Sequence, residues 1–392
     1  MPSPDPTSCP VCRSRRVFEV IRIDRVPVCC NVLWKTREEA LRAPKGDIHL
    51  HFCQECGHLF NSAFDPALME YDSGYENSLH FSPRFQHYAE ALAADLVERH
   101  SLKGKNIVEI ACGKGDFLHL LCRLGDNRGF GFDPSYEFDR HEPAGDVTIF
   151  RDYFGKNAFP WTADLVCCRQ ALEHIRFPTD FLAEIRKAIG EKTGTAVFFE
   201  VPNSLYTLRD LGIWDIIYEH CSFFWAGSLR QSFELAGFKV TQVGEAFDEQ
   251  FLCIEGFPAK DQTPFPVRSP DLDEVRKWAA IFEGAHRKKV SLWKERLNDM
   301  AKAGKRAVVW GGGSKGIAFL NLFENQGTIE YVVDVNPQKQ GKFVPGTGHE
   351  IVSPKMLIKD EPEVVVLMNP IYREEVFAML RQFRVSAQII VA

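Results

Sequence analysis

The sequence predicts an α/β protein in three parts: a small metal-stapled module, a largely parallel sheet, and a second, shorter βαβ unit. Three observations predict this. Two cysteine pairs, Cys9-Pro-Val-Cys12 and Cys53-Gln-Glu-Cys56, open the chain. A glycine-rich turn, Val108-Glu109-Ile110-Ala111-Cys112-Gly113-Lys114-Gly115, follows an apolar strand pattern and opens a helical one. A second such turn, Ala307-Val308-Val309-Trp310-Gly311-Gly312-Gly313-Ser314-Lys315-Gly316, recurs near the end of the chain.

A length of 392 residues suggests two to three domains. The pattern divides as 1–70 for the cysteine module, 71–270 for the sheet domain, and 271–392 for a linking helix with the last βαβ unit. Hydrophobic content of 45% with 26% charge is that of an ordinary globular protein. The net charge of −6 and the lack of a basic stripe argue against a nucleic-acid partner. No apolar run is long enough for a membrane span, so no membrane partner is expected. Met1-Pro2-Ser3-Pro4-Asp5-Pro6 has neither the basic nor the apolar region of a signal peptide. A cytoplasmic location is therefore expected, with the 12 cysteines reduced or bound to metal.

Zinc takes four thiolate or imidazole ligands in a tetrahedron, and a two-residue spacer lets both thiolates of a turn face one ion. Cys9, Cys12, Cys53 and Cys56 supply that set, and four protein ligands make the zinc structural. The long segment between the pairs demands an inserted hairpin or helix, expected near Thr36–Leu41. His49, His51 and His58 remain second choices as ligands, and alternation in His49-Leu50-His51-Phe52 reads as a strand with exposed imidazoles. A redox role for either pair stays open, although neither lies in a βαβ pattern.

From His80 to Phe257 strand and helix signals alternate. An amphipathic helix is expected over Phe85–Arg99. Strands follow at Asn106–Ile110, Arg128–Phe132, Val147–Phe150, Asp164–Cys168 and Thr195–Val201, with helices at Asp116–Leu124 and Thr179–Ile189. A helix at Ser228–Ala236 then leads to strands Phe238–Val243 and Gln250–Glu255. The short link between the last two strands makes them an antiparallel pair. Sheets of nucleotide dehydrogenases do not usually end that way, and this one resembles a class I methyltransferase (Rossmann-like) sheet.

The loop agrees with that resemblance. Glu109 to Gly115 follows E-x-G-x-G-x-G with Ala111 in the first glycine slot, rather than GxGxxG. Small residues at Ala111, Gly113 and Gly115 let backbone approach a cofactor, and the helix beyond aims N–H groups at it. Asp133 ends the next strand, where an acid can accept from ribose hydroxyls. It is equally a strand-ending Asp-Pro turn. Asp152, after the third strand, is placed to accept from an adenine amino group, or is a surface acid. Gln170, after the fourth, lies where a reactive methyl group would point.

Asp271–Lys305 reads as a long connecting helix, before a βαβ unit whose second strand, Ile329–Val333, ends in Asp334. Taken alone, loop and acid suggest NAD. The residues after Ala307 look too few for a complete six-stranded sheet, so the loop is left to hold a substrate phosphate, to bind NAD, or to pack.

The order of these parts resembles the sugar C-methyltransferases of antibiotic deoxysugar pathways, over essentially the whole chain. Local motifs carry the resemblance too: Tyr71-Asp72-Ser73-Gly74-Tyr75, Leu172-Glu173-His174-Ile175, and Tyr218-Glu219-His220 before Phe223-Phe224. It implies S-adenosylmethionine as cofactor and a nucleotide-linked 4-keto sugar as substrate. It also implies removal of a proton beside the ketone, and attack of the enolate on the methyl group. His174, Glu219 and His220 fall on the family's active-site positions, and Tyr75, with Tyr71, is a candidate closing over the cofactor. The family commonly has Tyr-x-Glu-His. Here Ile217 takes the tyrosine slot, so Tyr218 serves only if the loop shifts by one residue. His220 is then the candidate base, with His174 and Glu219 orienting substrate or stabilising the enolate. O- or N-methylation of another small metabolite, an NAD-linked sugar oxidoreductase, and a binding module with vestigial loops are the rivals. The oligomeric state is not legible.

Overall fold

A computed structural model describes residues 8–69, 74–137, 146–155, 162–260, 271–323 and 327–392. The first part is built on the hairpin of Val17–Pro27 and Lys45–Cys53, with Leu59–Asn61 added beside it. Between the hairpin strands lies the short helix Arg37–Leu41, started by a capping box. Thr36 Oγ1 accepts from the Glu39 N–H at 3.2 Å, and the Glu39 carboxylate accepts from the Thr36 N–H at 3.1 Å. His49 and His51 are half-exposed while Leu50 and Phe52 are buried, as the alternation requires. The fourth strand of this sheet comes from far along the chain: Ser222–Phe223 pairs antiparallel with Leu59 and Phe60. The module therefore does not complete its own sheet.

The central sheet has seven strands in the order Phe238–Ala246, Phe251–Pro258, Ala196–Pro202, Leu165–Arg169, Asn106–Ile110, Arg128–Phe132, Asp146–Phe150. The last five run parallel, and the closing pair is antiparallel, as its short link requires. Ile107, Val108, Leu165, Val166, Val197 and Phe198 are 0–1% exposed, because helices cover both faces. Of those helices, Pro83–Arg99 starts at the Ser82 cap and buries Phe85, Ala89, Ala93 and Leu96 along one stripe. The order reverses beside Asn106–Ile110, which opens a crevice at the carboxyl ends of the central strands.

The C-terminal unit departs from the sequence expectation. It does form a six-stranded sheet, ordered Lys342–Phe343, Glu350–Val352, Ile329–Val333, Ala307–Trp310, Val364–Leu367, Gln388–Val391. Only the first pair is antiparallel. The residue count suffices because the strands are two to five residues long. The 31-residue helix Leu272–Lys302 leads into it. One apolar core runs through Phe52 of the first sheet, Trp214, Phe282 and Trp293 of the helix, and Phe319 and Val309 of the last unit. Each such fully buried side chain contributes about 1.5–3 kcal/mol, so the three parts are cemented together. No described helix is long and apolar enough to cross a membrane.

Candidate functional site

The carboxyl edges of the two large sheets face one another across a cavity of about 340 Å³. One wall is the first glycine loop. Ala111, Gly113 and Gly115 all have left-handed backbones, with φ of 54°, 56° and 84°. At Gly115 the φ of 84° strains any residue but glycine, and a Cβ would also press on Ile149 Cδ1 at 2.7 Å. Glu109 is buried, its Oε2 lacks a partner, and burial pushes its carboxyl up to about 8. A loop folded back three times, with an unsatisfied buried acid beside it, fits the amino-acid end of S-adenosylmethionine.

Asp133 ends the neighbouring strand. Its Oδ2 accepts from the Gly113 N–H at 2.8 Å, and its Oδ1 accepts from the N–H and hydroxyl of Ser135, both at 2.7 Å. It thus shapes the loop without itself lining the cavity, and a carboxylate with about four lone-pair sites keeps room for a ribose hydroxyl. Asp152 lies just past Asp146–Phe150 and accepts from the Tyr153 N–H at 2.7 Å; it does not line the cavity. Gln170 does, with φ of 52° and its amide donating to Glu200 at 3.0 Å.

The histidines line the same cavity. Their rings meet edge to face, with centroids 5.1 Å apart. Each ring is tied to backbone of the loop before Ser222: His174 to Glu219, and His220 to Asp215. Burial holds His174 well below the usual imidazole range and His220 down to about 3, with the nearby Lys315 ammonium adding to the latter. Both are neutral near pH 7. Glu219 is fully buried; its Oε2 accepts from the Cys30 N–H at 3.2 Å while Oε1 is unpartnered, and burial raises it to about 7. Tyr75 is hydrogen-bonded to Glu219 and lines the cavity. Tyr71 lies outside the described residues.

Tyr218 is not part of the cavity. Its hydroxyl accepts from the Asp65 N–H at 2.8 Å, and its ring packs on Phe64 of the first module. The one-residue offset thus persists, and Ile217 presents the apolar side chain to the cavity.

The opposite wall is the second glycine loop. The helix Ser314–Leu322 starts on it, and at Gly316 a Cβ would lie 2.0 Å from the Gly311 carbonyl oxygen. Lys315 enters the cavity and pairs with Asp215, and Lys339 donates to Asn31 at 3.1 Å. Asp334 has both oxygens engaged, by the N–H groups of Gly312 at 2.7 Å and Asn336 at 2.8 Å.

Sequence reasoning missed Arg169, Glu200, Lys315 and Lys339. Arg169 and Glu200 carried a signal: each is a charge inside or at the end of an otherwise apolar buried strand, which demands a partner. Lys315 stands inside the second glycine-rich turn that the sequence singles out, but only the packing of the last unit brings it to this cavity, and Lys339 carried no signal.

The four cysteine sulfurs converge at the edge of the first sheet. Cys9 and Cys56 Sγ are 3.6 Å apart, and Cys12 and Cys53 Sγ are 3.5 Å apart. All four lie within 4.8 Å of one another. Zinc–sulfur bonds of about 2.3 Å in a tetrahedron put sulfurs about 3.8 Å apart, so the donor set fits zinc. The histidines held as second choices do not join this cluster: His51 Nδ1 contacts the His49 carbonyl, and His58 is buried between Phe60 and Phe224.

A catalytic sheet of this order, a cofactor loop with an acid on the next strand, and paired imidazoles at the carboxyl edge define a methyltransferase. Comparison with known proteins agrees. Residues 85–243 match the family model described as methyltransferase domain, and residues 268–392 match the one described as C-methyltransferase C-terminal domain. The chain is an S-adenosylmethionine-dependent methyltransferase whose last part matches this C-methyltransferase C-terminal domain. The C-methyltransferase NovU of Streptomyces niveus is 25% identical over 73% of this chain and 72% of its own length. A mitochondrial ubiquinone biosynthesis O-methyltransferase of Schizosaccharomyces pombe is 27% identical over 24% of this chain and 36% of its own. Among solved structures, the magnesium protoporphyrin IX methyltransferase of Synechocystis has a TM-score of 0.34 at 14% identity, covering 45% of this chain and 84% of that one.

Proposed function

We propose that the protein transfers a methyl group to a carbon atom of a nucleotide-linked keto sugar, and that a structural zinc ion holds its first module. One observation supports this most: a neutral, backbone-tethered His220 faces a cavity shared by the cofactor loop and a second, phosphate-suited helix N-terminus. Glu109, Ala111, Gly113, Gly115, Asp133 and Gln170 would hold S-adenosylmethionine, which supplies an electrophilic methyl group. Asp152 remains a candidate for the adenine amino group through its position at the strand end. The Gly311–Gly316 loop and Lys315 suit the substrate's phosphates, since N–H groups and an ammonium both favour an anion there.

His220 takes the proton from the carbon beside the ketone. Its tether to Asp215 fixes the ring, and burial keeps it unprotonated and able to accept. Binding an anionic substrate raises its basicity by placing negative charge nearby. His174, edge-on to His220, and Tyr75 on Glu219 are placed to orient the sugar. Closure of two sheet edges over one cavity excludes water from the reacting carbanion. Relatedness to NovU supports carbon as the acceptor. Turnover of a panel of nucleotide-linked keto sugars, with the product's new methyl located by NMR, tests this. Methylation at oxygen or nitrogen, or acceptance of only non-sugar metabolites, would reject it.

A further inference from the structure

Among the described residues, three groups bring metal-type donor atoms within 4.8 Å of one another. The four cysteines make the first. The second, Asp24, Asp47 and His49, lies at the surface with both acids exposed. The third, Glu173, His174 and His220, lines the catalytic cavity and joins two imidazoles to one carboxylate. Glu173 Oε1 stands 3.9 Å from His174 Nε2, and the two rings meet at 85° with centroids 5.1 Å apart. Each ring is also tied to a backbone carbonyl, His174 to Glu219 and His220 to Asp215. Such a tie is what orients metal-ligating histidines, since the N–H goes to the carbonyl and the other nitrogen carries the lone pair.

We propose that Glu173, His174 and His220 bind one divalent transition-metal ion, and that the bound ion switches off His220 as a base. Two imidazoles and one carboxylate suit zinc, cobalt, nickel or ferrous ions, whereas calcium and magnesium demand several oxygens. Metal–ligand bonds of about 2.0–2.2 Å set neighbouring donors about 3.3 Å apart, so this group need close by only about 1.5 Å. Three protein ligands leave a fourth position to water or a substrate oxygen. The charge balance allows a cation: Glu219, next to His220 in the chain, is a second buried acid, and Lys315, whose charge reaches His220, is paired with Asp215. The ion accepts the lone pair of His220 that would otherwise receive the proton, so metal and proton exclude each other and no electron is transferred. The inhibitory half rests on His220 as the base of methyl transfer, and the binding half does not.

Cobalt serves as the probe, added to full-length protein whose cysteine site already holds zinc. Wild type should take up one further equivalent, seen as the visible ligand-field bands of nitrogen and oxygen ligation without the near-ultraviolet band of cysteine-bound cobalt. His220→Asn and Glu173→Gln should each weaken that equivalent by about tenfold or more, since each removes one ligand. His49→Asn should leave it unaltered, which separates the cavity from the surface group. If Glu173→Gln fails to fold, His174→Asn carries the same test. No further equivalent in wild type, bands of cysteine ligation alone, or full retention in the histidine variants of the cavity would overturn the site. Methyl transfer should fall in step with the cobalt bands and return when the ion is dialysed away, and full turnover at full occupancy would overturn the inhibitory half. A protein that methylates no keto sugar would instead overturn the methyl-transfer reading, with the optical titration still deciding the site.

Discussion

Replacing Asp133 by alanine separates what this carboxylate does for the cofactor from what it does for the loop. In the free protein it accepts three hydrogen bonds, from Gly113 and twice from Ser135. Asp133 is 8% exposed and Ser135 5%, so losing the acceptor strands buried donors at about 1–3 kcal/mol each, with part recovered by relaxation. A net destabilisation of about 2–4 kcal/mol is expected, enough to lower the melting temperature by several degrees without unfolding the protein. A charge-assisted bond to a ribose hydroxyl adds about 1.5–3 kcal/mol to binding, so affinity for S-adenosylmethionine should fall at least tenfold. Calorimetric titration well below the mutant's melting temperature reads the second effect without the first. Asp334→Ala, which removes the analogous acid from the other glycine loop, should leave affinity unchanged. Near wild-type affinity in Asp133→Ala, or an equal loss in Asp334→Ala, would refute the assignment of the ribose to the first loop.

Elemental analysis should find one equivalent of zinc per chain, and Cys56→Ser or a chelator should lower the melting temperature, because metal binding is folding energy for such a module. Since Ser222–Phe223 is paired to that module, the same treatment should also impair turnover, and zinc-free protein with an unchanged melting profile would reject the site. In ligand-free protein two sets of buried groups act against each other across pH. As pH falls below about 6.5 the unfolded chain takes up protons that native His220 and His286, lowered to about 3 and 4, refuse, and stability is lost. As pH rises above about 4.5 the unfolded chain releases protons that native Glu109, Glu173 and Glu219, raised to about 8, 8 and 7, retain, so stability is lost up to those values, and above about pH 6.5 only this second loss remains. A melting temperature that climbs steadily from pH 6.5 to 8 would contradict the buried carboxyls. Tyr218→Phe should cost modest stability through its bond to Asp65 and little turnover, and a large kinetic loss would return the phenol to the active site.

The parallel core of the catalytic sheet was legible because fully buried strands such as Leu165–Cys168 and Val197–Phe199 leave continuous apolar runs between polar turns. The antiparallel closing pair was legible from its short link. The last sheet was misjudged because two- and three-residue strands such as Lys342–Phe343 leave no periodic signal, only tertiary pairing. Of the site, the loop, Asp133, the histidines and the four cysteines each sit at a recognisable spacing or strand end. Asp152 follows the right strand but does not line the cavity. Lys339 could not be found by local reading, and Lys315, though inside the second glycine turn, could not be placed at this cavity, since the packing of Trp214, Trp293 and Phe319 sets where the last unit docks. The strand after His220 was likewise hidden, because its partner is more than a hundred and fifty residues earlier in the chain.

Deuterium exchange at the carbon beside the ketone, in an accepted nucleotide-linked keto sugar and without cofactor, isolates proton removal from methyl transfer. Wild type and Tyr218→Phe should exchange at comparable rates, while His220→Asn should be slower by about 10²–10⁴, the usual worth of a positioned base. Exchange that persists in His220→Asn but vanishes in Tyr218→Phe would contradict the account.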